Sequence, residues 1–144
     1  NKILEQLVND LGLQSHVHFL GYIEENKKLL LYNASDIYIM NSLDTDEKGD
    51  SEGFGITFLE ANACGKPVIG TNVGGISDAI KNNVNGILVK PNDMNATAEA
   101  IIRLFSNKIL YQKLSSNGLL RVNTQFSLSH VGEQYQQIIS SLCP

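Results

Sequence analysis

Glu52-Gly53-Phe54-Gly55-Ile56-Thr57-Phe58-Leu59-Glu60-Ala61-Asn62-Ala63-Cys64-Gly65-Lys66-Pro67-Val68-Ile69-Gly70 sets a turn, a helix, a breaker and a strand in immediate succession. Gly53 and Gly55 flex the turn, and the pattern predicts a helix from Gly55 to Ala63. Gly65-Lys66-Pro67 stops that helix, and Val68 to Gly70 is the next strand. If Ile56, Leu59 and Ala63 form the buried stripe of the helix, Glu60 lies beside them, one turn beyond Ile56. A carboxylate there is rarely fully buried without partners. It sits either half solvated at the edge of the stripe, or facing a cleft where it accepts hydrogen bonds from the hydroxyls of a ligand.

On both sides of this unit, short apolar runs alternate with helical patterns. Ile3 to Leu13 reads as an amphipathic helix closed by Gly12, and Val17 to Leu20 as a short strand ending at Gly21. Glu24 to Ala34 is helical, and Asp36 to Met40 is a buried strand. After Val68–Gly70, Gly74-Gly75 opens a short helix through Ile80, and Gly86 to Val89 is a further strand stopped by Pro91. Helices are expected near Asp93–Ser106, Ile109–Val122 and Leu128–Leu142. The alternation implies an α/β fold with a largely parallel sheet and ligands near the carboxyl ends of its strands. The loops Asn41–Gly55 and Gly70–Gly75 both follow strands, so they belong to one rim of the sheet, where a functional site is expected.

The totals bound the function. The 144 residues fit one domain or part of one, and the net charge of -4 without a basic run argues against a nucleic-acid surface or a polybasic membrane anchor. No apolar stretch is long enough to span a bilayer and no signal-peptide pattern opens the chain, so a cytoplasmic setting is expected. Cys64 and Cys143 are far apart and form neither a zinc pattern nor a disulfide framework. Cys64 reads as a small buried residue near a helix end.

With these elements placed, the chain resembles the carboxyl-terminal half of a retaining glycosyltransferase of the GT-B fold, in the family called glycosyl transferases group one. The resemblance rests on the Glu-x7-Glu motif Glu52 to Glu60 and on its flanks in order. These are Val17-His18-Phe19-Leu20-Gly21, Ala63-Cys64-Gly65-Lys66-Pro67-Val68-Ile69-Gly70, Val73-Gly74-Gly75-Ile76 and Asn85-Gly86-Ile87-Leu88-Val89. It implies a Rossmann-like parallel sheet with flanking helices that binds a nucleotide-diphosphate sugar. By the same resemblance Glu60 accepts hydrogen bonds from the two ribose hydroxyls, and Glu52, the catalytic candidate, contacts hydroxyls of the donor sugar. A carboxylate suits a vicinal diol, since its two oxygens can take two charge-assisted O–H donors. The amides of Gly53, Phe54, Gly55 and Ile56 are expected to face the sugar or the diphosphate, because glycine permits close approach and a helix amino terminus favours negative charge. Tyr22 and Ile23, in Gly21-Tyr22-Ile23-Glu24, match the stretch that lies along the base, while Ser42 and Gly74-Gly75 help shape the cleft wall.

Transfer in this family retains anomeric configuration and needs no metal or other cofactor, the leaving diphosphate being stabilised by amides and basic side chains. The two Glu residues would hold opposite ends of one donor rather than flank one bond as a glycosidase pair does. The implied partners are a nucleotide sugar and a sugar, lipid or glycan acceptor, with peripheral membrane contact through a domain outside this sequence. That contact would place the protein at the inner face of the membrane.

Three departures stand out. A complete domain of this type begins with two more strand–helix units, which carry the Arg and Lys of the diphosphate clamp; Lys48 and Lys66 are no obvious substitutes. In the family's sheet order, 3-2-1-4-5-6, Val17–Leu20 is then left without its neighbours while the three later strands can still pair. Residues 1–144 are therefore expected to be an incomplete donor-binding domain without its acceptor domain, inactive alone, with a first strand that is poorly placed or pairs abnormally. Lastly, Ser77-Asp78 stands where the family has Pro-Glu.

Other patterns carry less. Asp44-Thr45-Asp46 resembles a manganese-binding Asp-x-Asp, but reads better as a solvated acidic loop, and it fails as a calcium loop because Lys48 takes a ligand position. His16 and His18 alternate on the first strand with no third ligand nearby, and His130 falls on the last helix. No Gly-x-Gly-x-x-Gly follows a strand, which counts against a dinucleotide dehydrogenase. The competing functions are a non-catalytic sugar-nucleotide-binding module and a sugar-nucleotide epimerase of the same overall fold. An Arg and a downstream Lys in the preceding strand–helix unit would favour the transferase.

Overall fold

The computed structural model describes residues 2–43 and 53–142. Its centre is β2, Val68–Thr71, every residue of which is buried. A strand that reads as a continuous apolar run suits the middle of a parallel sheet covered on both faces. β1, Tyr38–Met40, pairs with it on one side, Tyr38 opposite Val68 and Met40 opposite Gly70. β3, Gly86–Val89, pairs on the other, Val68 opposite Gly86 and Thr71 opposite Val89. Both pairings are parallel, giving the order β1-β2-β3. The three expected later strands are therefore present and adjacent.

Helices α1 (Lys2–Asp10), α2 (Glu25–Ala34), α3 (Ile56–Ala63), α4 (Ile76–Ala79), α5 (Met94–Ser106), α6 (Lys108–Arg121) and α7 (Leu128–Leu142) fill the connections and the end of the described chain. Side chains of a strand alternate between faces, so Val68 and Ile69 enter different cores. Val68 joins Tyr32 of α2, Phe58 and Ala61 of α3, Val73, and Ile76 and Ala79 of α4. Ile69 joins Ile87 and Val89 of β3, Ala100 and Leu104 of α5, and Leu114 of α6. Asp93 and Asn107 cap α5 and α6 by accepting from the amides of Ala96 at 2.8 Å and Leu110 at 2.9 Å.

Two expectations are corrected. Val17–Leu20 forms no strand, and the described sheet has three strands. A strand gains its backbone hydrogen bonds only from a neighbour, and no described strand lies beside this segment. The buried face of α3 is also different: Phe58, Ala61 and Asn62 point inward, whereas Ile56 is 67% exposed and Ala63 is exposed. Ile56, Phe58, Leu59, Ala61 and Ala63 are spread round the helix, so its core face is chosen by what meets it. Phe58 packs over Gly70 of β2, where an added Cβ would lie 2.8 Å from its ring.

α6 runs on into a π-helical turn, Val122–Phe126, before α7. Sequence pattern alone gave no sign of that turn. No residue of α1 or α7 is buried. Among the described residues no helix is long and apolar enough to cross a membrane.

Candidate functional site

Because all three strands run parallel, their carboxyl ends share a rim, and the loops after β1 and β2 meet there. The Thr71 hydroxyl donates to the Ser42 carbonyl at 2.7 Å, tying the exit of β1 to the end of β2. The turn before α3 arrives at the same rim. Gly55 caps α3 with φ of 81°, a left-handed conformation that glycine adopts without steric cost. It offers no side chain to cap the first turn of the helix.

This turn rests on the Gly74-Gly75 turn. A Cβ added at Gly75 would lie 1.9 Å from the Gly53 carbonyl oxygen and 3.2 Å from Phe54 Cα, so the two backbones touch. Phe54 is further braced by Phe126 of the π-helical turn, their ring centroids 5.7 Å apart. The Arg121 guanidinium lies 4.8 Å over the same Phe126 ring while donating to the carbonyls of Ala79 and, at 2.6 Å, Asp78. Arg121 and Phe126 thus link the last helices to the floor of the site. Neither was singled out by pattern, because each acts on residues far away in sequence.

Glu60 projects from the middle of α3 toward α2. Its Oε1 accepts from Lys28 Nζ at 2.9 Å and its Oε2 from the Tyr32 hydroxyl at 2.9 Å. The Glu60 side chain keeps 31% of its exposure and lies at the groove between α2 and α3. Tyr32 is buried, its ring set edge-on to that of Tyr38 at 5.5 Å and 70°. Lys28 Nζ also meets Glu25 Oε1 at 2.8 Å. Together with Leu29, Ala63 and Cys64, these residues line a groove of about 300 Å3 between α2 and α3. Cys64 is half-buried there rather than buried.

Lys28 and Tyr32 are one helical turn apart on α2, hence on one face, and that spacing is the signal by which the sequence could have paired them with a site. The Glu25 and Glu60 carboxylates push the Lys28 ammonium up to about 12. Burial, then the hydrogen bond to Glu60, raises the Tyr32 phenol well above its ordinary value. Both groups remain donors at neutral pH. The fold holds the Tyr32 proton more tightly than the unfolded chain does, so this stabilisation is complete below about pH 10 and is lost as pH rises through the folded value. The stability advantage of the wild type over Tyr32→Phe should therefore narrow above about pH 10. Urea unfolding of both proteins at about pH 8 and about pH 11 measures this, and an unchanged gap would contradict it.

The remaining expected residues are dispersed around this centre. Tyr22 is 91% exposed and Ile23 half-buried, immediately before α2, whose first turn supplies Glu25 and Lys28 to the groove. Gly53, Phe54, Gly55 and Ile56 form the turn and first residue of α3 as expected. Glu52, Lys48 and Asp44-Thr45-Asp46 lie outside the described residues. His16 and His18 are exposed on a segment that is not a strand, and His16 Nδ1 is 3.0 Å from the Ser15 hydroxyl.

Residues 1–121 match the model of the family Glycosyl transferases group 1. The chain belongs to that family. Its parallel sheet with flanking helices is that of the carboxyl-terminal domains of GT-B glycosyltransferases. One solved relative of this group 1 domain is the C-terminal domain of the group 1 glycosyl transferase LpcC from Francisella tularensis. It is 34% identical with a TM-score of 0.76, over 88% of this chain and 62% of that one. Anabaena Alr3699/HepE, in complex with UDP and glucose, is 28% identical with a TM-score of 0.84, over 97% of this chain and 36% of that one. In sequence, N-acetyl-alpha-D-glucosaminyl L-malate synthase of Bacillus anthracis is 33% identical over 133 residues, 92% of this chain. The group 1 domain described here spans 32% of the length of that synthase.

Proposed function

We propose that this chain is the donor-binding part of a retaining glycosyltransferase that moves a sugar from a nucleotide-diphosphate sugar to a hydroxyl of a glycan, lipid or other acceptor without a metal. The observation that carries the reading is the Glu60 carboxylate, partly exposed at the α2–α3 groove and held by Lys28 and Tyr32. A fixed carboxylate with unused lone pairs suits the vicinal diol of a ribose. The glycine turn Gly53–Gly55 and the amino end of α3 precede it on the same helix, where the macrodipole favours a diphosphate. The complex of Alr3699/HepE with UDP and glucose is in keeping with a nucleotide and a sugar as ligands of such a fold.

In this reading Glu60 takes the ribose, Glu52 takes hydroxyls of the donor sugar, and the amides of Gly53, Phe54, Gly55 and Ile56 face the sugar or the diphosphate. Tyr22 and Ile23 lie along the base, and Ser42 bounds the cleft. The acceptor oxygen bonds to the anomeric carbon on the face from which the phosphate oxygen departs, and that phosphate oxygen takes the acceptor proton. Backbone amides, together with basic side chains from elsewhere in the full protein, hold the charge of the leaving diphosphate. The acceptor would be bound by a second domain across the cleft.

Thermal unfolding of the full-length protein with UDP-, GDP- and ADP-sugars tests the reading. At least one donor should raise the melting temperature, since a ligand at about 100 times its Kd adds about 2.7 kcal/mol. Glu60→Ala should lose most of that shift, because hydrogen bonds to a charged group are worth about 1.5–3 kcal/mol each. A shift that survives the substitution would remove Glu60 from the ribose.

A further inference from the structure

A carboxylate has roughly four acceptor sites. In Glu60, Lys28 fills one on Oε1 and Tyr32 fills one on Oε2, both at 2.9 Å. Among the described residues no further donor reaches Glu60, so one acceptor site on each oxygen remains for a ligand in the groove that it lines. A glutamate on a helix otherwise spins about its terminal bond, and a vicinal diol needs both oxygens presented in one plane. The two donors come from one face of α2, and each is itself restrained. Tyr32 is wedged by burial and by its edge-on contact with Tyr38. Lys28 is held between Glu60 and Glu25.

We propose that Lys28 and Tyr32 are positioning residues that fix the plane of the Glu60 carboxylate, so that its two remaining acceptor sites match the 2′- and 3′-hydroxyls of a ribose. The inference rests on the donor-binding role of Glu60. It goes further by assigning ribose discrimination to two side chains that do not touch the ribose. Of the two, Tyr32 sets the angle, because packing fixes its hydroxyl. Lys28 holds the other oxygen through a charge-assisted hydrogen bond, which is stronger than one from a neutral donor. Restraint of this kind acts before the ligand arrives, so its loss shows as weaker binding of the diol and not as a general loss of nucleotide affinity.

The test is calorimetric titration of the full-length protein with UDP, GDP and ADP, each beside its 2′,3′-dideoxy counterpart. For the nucleotide that binds, the wild type should prefer the ribose form by about tenfold or more. In Tyr32→Phe and in Lys28→Met that preference should fall to about threefold or less, with dideoxy affinity unchanged within about twofold. Lys28→Arg, which keeps a charged donor, should restore most of it. No preference in the wild type would refute the ribose role of Glu60 itself. Full preference in Tyr32→Phe would overturn the positioning role while leaving Glu60 in place. Equal loss of both nucleotide forms in the variants would make Lys28 and Tyr32 structural and likewise overturn it.

Discussion

Phe58→Ala is expected to be the most destabilising single truncation on α3, lowering stability by about 3–5 kcal/mol and the melting temperature by roughly 10–20 °C. The Phe58 ring is fully buried and meets the Tyr38 ring edge-on at 5.6 Å and 76°. It fills the space above Gly70 and against Gly55, where added Cβ atoms would lie within 2.8 Å and 2.6 Å of it. Those glycines have no side chain to collapse into the void, so the cavity would persist. The loss should reach the site as well, because Tyr38 supports Tyr32 and Tyr32 supports Glu60. Ile56→Ala is the matched control: its side chain is 67% exposed, and its loss should cost about 0.5 kcal/mol or less. Denaturant midpoints of the two variants decide the matter. Equal losses would mean that α3 buries the other face.

Gly75→Ala should separate binding from folding in the opposite sense. An alanine Cβ at this position would sit 1.9 Å from the Gly53 carbonyl oxygen, a distance no non-bonded pair tolerates, and its other near neighbours are also backbone atoms. The φ of Gly75 is -82°, so no conformational strain is involved and the whole effect is steric. The Gly53-Phe54 turn must move away from the Gly74-Gly75 turn. We expect a stability loss of about 1–3 kcal/mol. Nucleotide-sugar affinity should fall by about tenfold or more if, as proposed, the displaced turn carries the amides that face the diphosphate. Glu52 directly precedes this turn in sequence, so transfer should suffer further. Unaltered affinity in a folded Gly75→Ala protein would show that the Gly53–Gly55 turn does not serve the ligand.

The legible and illegible parts of this fold divide along the range of the interactions. β1, β2 and β3 and the helices between them could be read within a residue or two, because apolar runs, Gly65-Lys66-Pro67 and Pro91 are local signals. Val17–Leu20 has the same composition as a strand but forms none, since pairing is decided by a neighbour and not by the segment. The face of α3 was misread for a related reason. With Ile56, Phe58, Leu59, Ala61 and Ala63 all apolar, periodicity fits more than one stripe, and the glycine-lined space for Phe58 selects among them.

The site was legible only in its motif residues. Glu60 could be placed on a helix, either at the edge of its buried stripe or facing a cleft, but its partners Lys28 and Tyr32 are 32 and 28 residues earlier, on a different helix. The same holds for Gly75 under Gly53 and for Phe126 against Phe54. These contacts turn a sequence motif into a geometry. They explain why the Glu60 carboxylate takes one orientation at the groove.

A crystal structure of the full-length protein with its nucleotide sugar tests the central claim most directly. The account predicts both ribose hydroxyls within about 2.5–3.0 Å of the Glu60 carboxylate oxygens, with Lys28 and Tyr32 still bound to the same two oxygens. A ribose seated away from the α2–α3 groove, with Glu60 bonded only to Lys28 and Tyr32, would contradict it.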